Sequence, residues 1–210
     1  IAIFGTETIL FKRISKSAHK GVRLMSVAKT MRLSILLVLS VPVLVWVWYS
    51  MNVNFAVFAV ASFFTALFVT QDTFSVYNNA RLTSRYNTLA NAAGMTLSFT
   101  LSFLIAWWQL SPLLLALPIV SATLVPYLIK RAIFYQNHQP AARGVKGNRK
   151  YLRYLLYAGL PLAISTVFVS IQVKAAQFFL VSVGSAKDLG LFSAASTIAA
   201  SWIFIPVAII

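Results

Sequence analysis

The chain has 210 residues, of which 60% are hydrophobic and only 10% carry a charge. A water-soluble domain has about 25% charged residues, so this composition excludes an ordinary soluble protein. The formal charge is +15, which in a soluble chain would indicate nucleic-acid binding. Here the cations lie between long apolar runs, as the positive-inside rule predicts for cytoplasmic loops. We therefore predict an all-α, polytopic membrane protein that binds no nucleic acid.

The sequence offers no chemistry of the catalytic or metal-binding kind. Cysteine is absent, which excludes disulfides and thiolate metal sites. His19 and His138 are far apart in basic connectors, and we interpret both as solvated loop residues. No phosphate-binding glycine loop, zinc-ligand spacing or catalytic carboxylate pair is found. We therefore predict no catalytic residue, no metal, no cofactor and no enzymatic activity.

Seven apolar segments follow one another along the chain. Residues 1–11 are too short for a span, which needs about 20 apolar residues, and their positive charge follows the apolar part, unlike a signal peptide. We therefore expect an internal fragment of a larger protein that starts near the end of a span. After residue 70, we expect the third segment's helix to continue as a polar extension. The predicted spans are residues 1–11, 33–50, 53–75, 88–109, 113–130, 154–182 and 190–210.

The basic residues alternate between the two sides of these spans. Every lysine and arginine except Lys174 and Lys187 lies in one of three connectors, at 12–32, 71–87 and 130–153. This alternation places the three connectors in the cytoplasm and the short turns outside.

The connector at 131–153 is the longest, and proline and glycine interrupt it. It is therefore the best candidate for a domain boundary. We expect it to join an N-terminal part, residues 1–130, to a C-terminal part, residues 154–210.

The span at 154–182 carries one cation, Lys174, near its middle. At 100° per residue, Lys174 shares an arc of about 80° with three polar residues, Thr166, Ser170 and Gln177. An ionisable residue at mid-span costs roughly 2.5 to 3.5 kcal/mol on insertion scales, so it is a functional candidate. We interpret this stripe as the lining of a substrate cavity. The alternative is a structural ion pair or a lysine that snorkels to the interface.

Four more charged residues lie near the ends of spans. We expect Arg81 and Arg85 to attract an anionic headgroup at the cytoplasmic mouth of the cavity, although topology alone explains most of their placement. Glu7 and Asp72 are candidates for the same region, with solvation at the membrane interface as the alternative.

The span at 88–109 has small residues at every fourth position, namely Ala90, Gly94, Ser98 and Ser102. This small-xxx-small pattern lets two transmembrane helices approach closely. We predict that this face packs against another helix and binds nothing.

Two C-terminal stretches carry a resemblance to a known family, GLPLAISTVFVSIQVKAAQFFL at 159–180 and GLFSAASTIAASWIFIPVAI at 190–209. They resemble the O-antigen (Wzx-type) polysaccharide-repeat flippases of the multidrug/oligosaccharidyl-lipid/polysaccharide superfamily, which are MATE-like. The N-terminal GTETILFKRIS is similar to the end of that family's second helix. The matching residues are Gly159, Leu160, Pro161, Lys174, Gln177, Gly190, Leu191, Phe192, Ser193, Ala194, Ala195, Trp202, Phe204, Ile205 and Pro206.

The resemblance implies a MATE-like bundle of two six-helix lobes around a V-shaped cavity. This chain would cover most of the first lobe and the first two helices of the second. The implied substrate is an undecaprenyl-pyrophosphate-linked oligosaccharide, flipped across the bacterial inner membrane by alternating access. Membrane lipids and other polysaccharide-assembly proteins are the other implied partners. Ala176 and Ala200 stand where many members carry acids, so a coupling role of those acids does not carry over.

Three alternatives remain. A MATE-type exporter of small cations would need carboxylates in its cavity, and intramembrane acids are few here. A polysaccharide polymerase or membrane glycosyltransferase would be expected to place its catalytic residues in substantial external loops, which this chain lacks. An assembly scaffold without transport activity would tolerate changes at Lys174.

Overall fold

The computed structural model describes residues 3, 5–137, 148–183 and 186–202, in which all regular secondary structure is helical. The chain divides into two compact units, Ile1–Leu162 and Ala163–Ile210. The helices are α1 (Thr6–Lys16), α2 (Ala18–Ser50), α3 (Val53–Gln71), α4 (Phe74–Ala80), α5 (Arg85–Trp107), a 3-10 turn (Pro112–Leu115), α6 (Ala116–Asn137), α7 (Asn148–Val183) and α8 (Ala186–Trp202).

Five stretches of the described helices are long and apolar enough to cross a membrane. At most 17% of the most apolar window of each is buried within the protein, whereas core helices of a soluble protein bury such surface. The prediction of an all-α chain with several helices long and apolar enough to span a membrane is therefore confirmed for the described residues. The two-lobe architecture stays a prediction, and residues 138–147 of the predicted connector and 203–210 of the last predicted span lie outside the described residues. The five stretches are Gly21–Ser50, Val53–Ala80, Arg85–Trp107, Pro112–Gln136 and Tyr151–Gln172.

The hydrophobic core of the first unit lies largely in segments that the sequence pattern assigned to connectors. Because α2 begins at Ala18, the former connector is helical, and buried positions recur along it at three- and four-residue spacing. The cations Lys29 and Arg32, which the sequence pattern placed between spans, therefore lie within α2. Core residues are Ile9, Leu10, Ile14, Leu24, Met25, Val27, Ala28, Met31, Phe74, Val76, Tyr77, Phe134 and Leu155.

The polar extension predicted after α3 is interrupted at Asp72 and Thr73. The Asp72 carboxylate accepts a hydrogen bond of 3.1 Å from the backbone N–H of Ser75, which starts α4 as a separate helix of seven residues. Phe74 then packs against Phe134 of α6, with ring centroids 5.1 Å apart. The break therefore turns α4 onto the end of α6.

The small-residue stripe of α5 faces α6, as predicted. A Cβ atom on Gly94 would lie 2.5 Å from ring carbons of Pro126 and 3.1 Å from the carbonyl oxygen of Ala122. The hydroxyl of Ser98 donates a 2.8 Å hydrogen bond to the Pro118 carbonyl. Only a residue without a side chain permits this approach, so the packing role of the stripe is confirmed.

Candidate functional site

The predicted polar stripe lies on α7, which runs without a break from Asn148 to Val183. The Lys174 ammonium donates a 2.9 Å hydrogen bond to Oε1 of Gln177, and the Ser170 hydroxyl donates a 2.7 Å bond to the Thr166 carbonyl. Residues three and four apart share a helix face, so the stripe is continuous. Lys174 is exposed and makes no ion pair with any residue that the structure describes. Whether this face lines a cavity stays a prediction.

A second group of polar side chains was missed by sequence reasoning. It lies in the first unit, where α1, α2 and α6 meet the α3–α4 junction, and we call it the buried polar cluster. Three of its members are cations that the sequence pattern had assigned to topology. The members are Thr6, Lys29, Arg32, Thr70, Asp72 and Lys130.

Arg32 is fully buried and joins three helices. Its Nε donates a 2.6 Å hydrogen bond to the Thr6 hydroxyl, and its Nη1 donates a 3.2 Å bond to the Thr70 carbonyl. Within the described part of the chain, its Nη2 has no hydrogen-bond partner. A buried guanidinium held by neutral oxygens is costly, and the negative charges of Glu7 and Asp72 offset part of that cost.

The other two cations of the cluster have different partners. The Lys130 ammonium forms an ion pair of 2.8 Å with the Asp72 carboxylate, and only 4% of the Lys130 side chain is exposed. The Lys29 ammonium lies 3.6 Å from the centroid of the Phe74 ring, a cation–π contact. These contacts bind α2, α6 and α4 to one another at their shared end.

The turn between α4 and α5 borders an open pocket of about 190 Å³. Arg81 is the one charged residue in its lining. Arg85 lies outside this lining, with its guanidinium carbon 5.1 Å from the centroid of the Tyr86 ring and its Nη2 donating a 3.4 Å hydrogen bond to the Tyr86 hydroxyl. The lining residues are Tyr77, Asn78, Arg81, Thr83, Tyr86, Ile133 and Phe134.

The structure separates the four charged residues that were predicted to serve a headgroup. Arg81 and Arg85 flank one turn, but only Arg81 lines the pocket. Asp72 is engaged by Lys130 in the buried polar cluster. Glu7 is exposed in the first turn of α1, next to Thr6. A direct contact of any of them with a substrate stays a prediction.

Comparison of the chain with protein families, curated proteins and solved structures finds no match. The flippase resemblance therefore depends on the motif residues alone. Function must be inferred from that resemblance and from the chemistry of the side chains that the structure describes.

Proposed function

We propose that this protein is a transporter that moves an undecaprenyl-pyrophosphate-linked oligosaccharide across the bacterial inner membrane by alternating access. The observation that carries the proposal is Lys174. It is a cation of α7 that lies inside the span predicted at 154–182 and two residues beyond the apolar stretch Tyr151–Gln172, on a polar face, without an ion pair among the described residues. A pyrophosphate that crosses a region of low dielectric constant needs a compensating cation, and Lys174 supplies one.

The neighbours of Lys174 have the chemistry to hold the rest of the substrate. Gln177 accepts the lysine's hydrogen bond with its amide oxygen, so its amide nitrogen still has donors for a sugar hydroxyl. The hydroxyl groups of Ser170 and Thr166 both donate and accept hydrogen bonds, as sugar recognition requires. Arg81 and Arg85 are exposed at the end of the first unit that the basic connectors assign to the cytoplasm, where they attract the anionic headgroup.

A small-cation exporter has less support. Such a transporter needs carboxylates that are available to its cargo, and the Asp72 carboxylate is already occupied by Lys130 and by the backbone of Ser75. The Lys174 stripe also carries the wrong charge for a cationic cargo.

Substitution of Lys174 in living cells tests the proposal. We expect Lys174→Ala to abolish surface polysaccharide and to leave lipid-linked repeat units on the cytoplasmic face, because the pyrophosphate loses its counter-charge. Lys174→Arg keeps the charge and should retain part of the activity. Lys187→Ala is the matched control, since it removes an exposed cation of the same unit from the first turn of α8, and it should leave the polysaccharide unchanged.

The measurements are surface polysaccharide, the sidedness of lipid-linked repeats and the amount of protein in the membrane. Normal surface polysaccharide in a Lys174→Ala strain with a normal protein level would refute the proposal. Repeats that accumulate singly on the outer face would indicate a polymerase defect instead.

A further inference from the structure

The pocket beside the α4–α5 turn holds one cation whose charge the described residues leave unmatched. The guanidinium of Arg81 has no hydrogen-bond or ion-pair partner in the described part of the chain. Most of the lining is aromatic or aliphatic, so this charge stands against apolar walls. A pocket with apolar walls and a single charged group is the usual composition of a ligand site.

Hydrogen bonds between neighbouring residues fix the turn that carries Arg81. Asn78 donates through its amide to Oδ1 of Asn87 at 2.8 Å, and the Thr83 hydroxyl donates to the Asn78 carbonyl at 3.1 Å. Asn87 in turn donates to the Ser75 carbonyl at 2.9 Å. These bonds fix the turn, and they leave the charged group of the lining, the Arg81 guanidinium, available to a ligand.

The turn also exposes an apolar side chain at a position that favours glycine. Leu82 has a φ of 59° and is 93% exposed. The N–H of Thr83 bonds to the Asn78 carbonyl and that of Leu82 to the Asn79 carbonyl, at 2.8 and 3.2 Å. This is the Schellman pattern that ends helices, in which glycine usually takes the left-handed place. The Leu82 side chain does not pack within the described part of the protein, so any stabilisation of it must come from molecules outside the chain.

The position of the turn and the volume of the pocket indicate which molecule lies next to Leu82 and Arg81. The turn follows the apolar stretch Val53–Ala80, and the pocket is also lined by Ile133 and Phe134 near the end of the apolar stretch Pro112–Gln136, where the interface of a membrane would lie. Next to an interface, a leucine reaches the acyl chains while a neighbouring arginine stays at the headgroups. About 190 Å³ is less than the roughly 300 to 1,000 Å³ that a drug-sized ligand needs. The pocket therefore suits a headgroup and not a whole molecule.

We propose that this pocket binds the phosphodiester headgroup of an anionic phospholipid from the leaflet next to the basic connectors. Arg81 contacts the phosphate, the rings of Tyr77 and Tyr86 flank the glycerol, and Leu82 inserts beside the acyl chains. One guanidinium matches the single charge of a phosphodiester better than the multiple charges of a pyrophosphate. The ligand is thus a resident membrane lipid whose binding does not depend on oligosaccharide transport, and while it is bound the attraction of the transported headgroup is left to Arg85.

Native mass spectrometry of the purified protein, titrated with phosphatidylglycerol in detergent, tests this site. Arg81→Gln should weaken binding about tenfold, because a charge-assisted hydrogen bond is lost. Arg85→Gln is the matched control: it removes the same charge three residues beyond Leu82 but outside the pocket lining, and it should change binding by less than about twofold. Ile133→Trp fills the pocket without changing the charge and should weaken binding as strongly as Arg81→Gln.

Three results would overturn the proposal. Equal losses in Arg81→Gln and Arg85→Gln would mean that the lipid is held only by the general positive field. Displacement of phosphatidylglycerol by millimolar inorganic phosphate would mean that the site takes a free phosphate and not a lipid. Equal retention of zwitterionic phosphatidylethanolamine would mean that the site does not select an anionic lipid. The Arg81 side chain is exposed, so the Arg81→Gln variant should fold. Its lipid binding therefore tests the proposal even if Ile133→Trp does not fold.

Discussion

The ion pair between Asp72 and Lys130 should respond asymmetrically to removal of its two partners. The ammonium and the carboxylate are 2.8 Å apart, and the two side chains are 4% and 15% exposed. Asp72 keeps a second donor, the backbone N–H of Ser75, whereas Asp72 is the only acceptor that the described residues give to the Lys130 ammonium. Removing the acid therefore strands a buried charge, and removing the lysine does not.

The magnitudes follow from this difference. Breaking a buried pair by removal of one partner costs about 3 to 5 kcal/mol, and Asp72→Asn should lie near the lower end because its amide oxygen still accepts a hydrogen bond. Lys130→Met leaves a carboxylate that is partly exposed and still bonded to Ser75, so its cost should be about 1 to 2 kcal/mol. In the double variant no charge is stranded, and it should be more stable than Asp72→Asn alone by about 1 to 2 kcal/mol.

Equilibrium unfolding of the purified protein in mixed micelles, followed by the fluorescence of its five tryptophans, measures these differences. Arg85→Gln serves as the control, because it removes an exposed cation and should change the free energy of unfolding by less than about 0.5 kcal/mol. The reasoning fails if Lys130→Met destabilises the protein as much as Asp72→Asn does. It also fails if the cost of the double variant equals the sum of the two single costs.

Two further predictions concern backbone geometry and use thermal unfolding in detergent as the measurement. Gly94→Ala should destabilise the protein by about 1 to 3 kcal/mol, because its Cβ would meet the Pro126 ring. Gly190→Ala is the control and should be neutral or stabilising, because no atom lies within 4 Å of its new Cβ. Equal effects of the two substitutions on stability would contradict the argument. Leu82→Gly should stabilise the protein by about 0.5 to 1 kcal/mol through relief of the left-handed conformation, whereas Leu82→Ala should not; a similar rise in both variants would show that the side chain, and not the backbone, is responsible.

Hydropathy predicted the helical class and the five helices among the described residues that are long and apolar enough to cross a membrane, because a long apolar run in a membrane must satisfy its backbone hydrogen bonds as a helix. The four-residue spacing around Gly94 likewise predicted a helix contact, since small residues are what such a contact requires. Hydropathy averages over a window, however, and it used the basic residues of the connectors only to assign a side of the membrane, not to predict contacts within the protein. It could not show that α2 starts fifteen residues before its apolar part, at Ala18.

The spacing of apolar residues in the same connector does indicate one member of the buried polar cluster. Gly21, Leu24, Met25 and Ala28 repeat at helical spacing, and the next position on that face is Arg32. An apolar face that continues into an arginine indicates that the arginine is buried. Its acceptors could not be predicted, because the Thr6 hydroxyl and the Thr70 carbonyl come from distant helices and no local pattern links them to Arg32.

Arg32 and Lys174 illustrate two roles of a cation in an apolar helix: Arg32 has a structural role, and Lys174 is available to a ligand. Arg32 receives two hydrogen-bond acceptors from its own unit and has the negative charges of Glu7 and Asp72 nearby. Its charge is therefore accounted for by structure, and a ligand is not needed to explain it. Lys174 receives one neutral amide from the next turn of its own helix and no acid that the structure describes. An ammonium on an apolar helix with so little compensation favours an anion from outside the chain, which is why Lys174, and not the more deeply buried Arg32, is the residue on which the transport proposal depends.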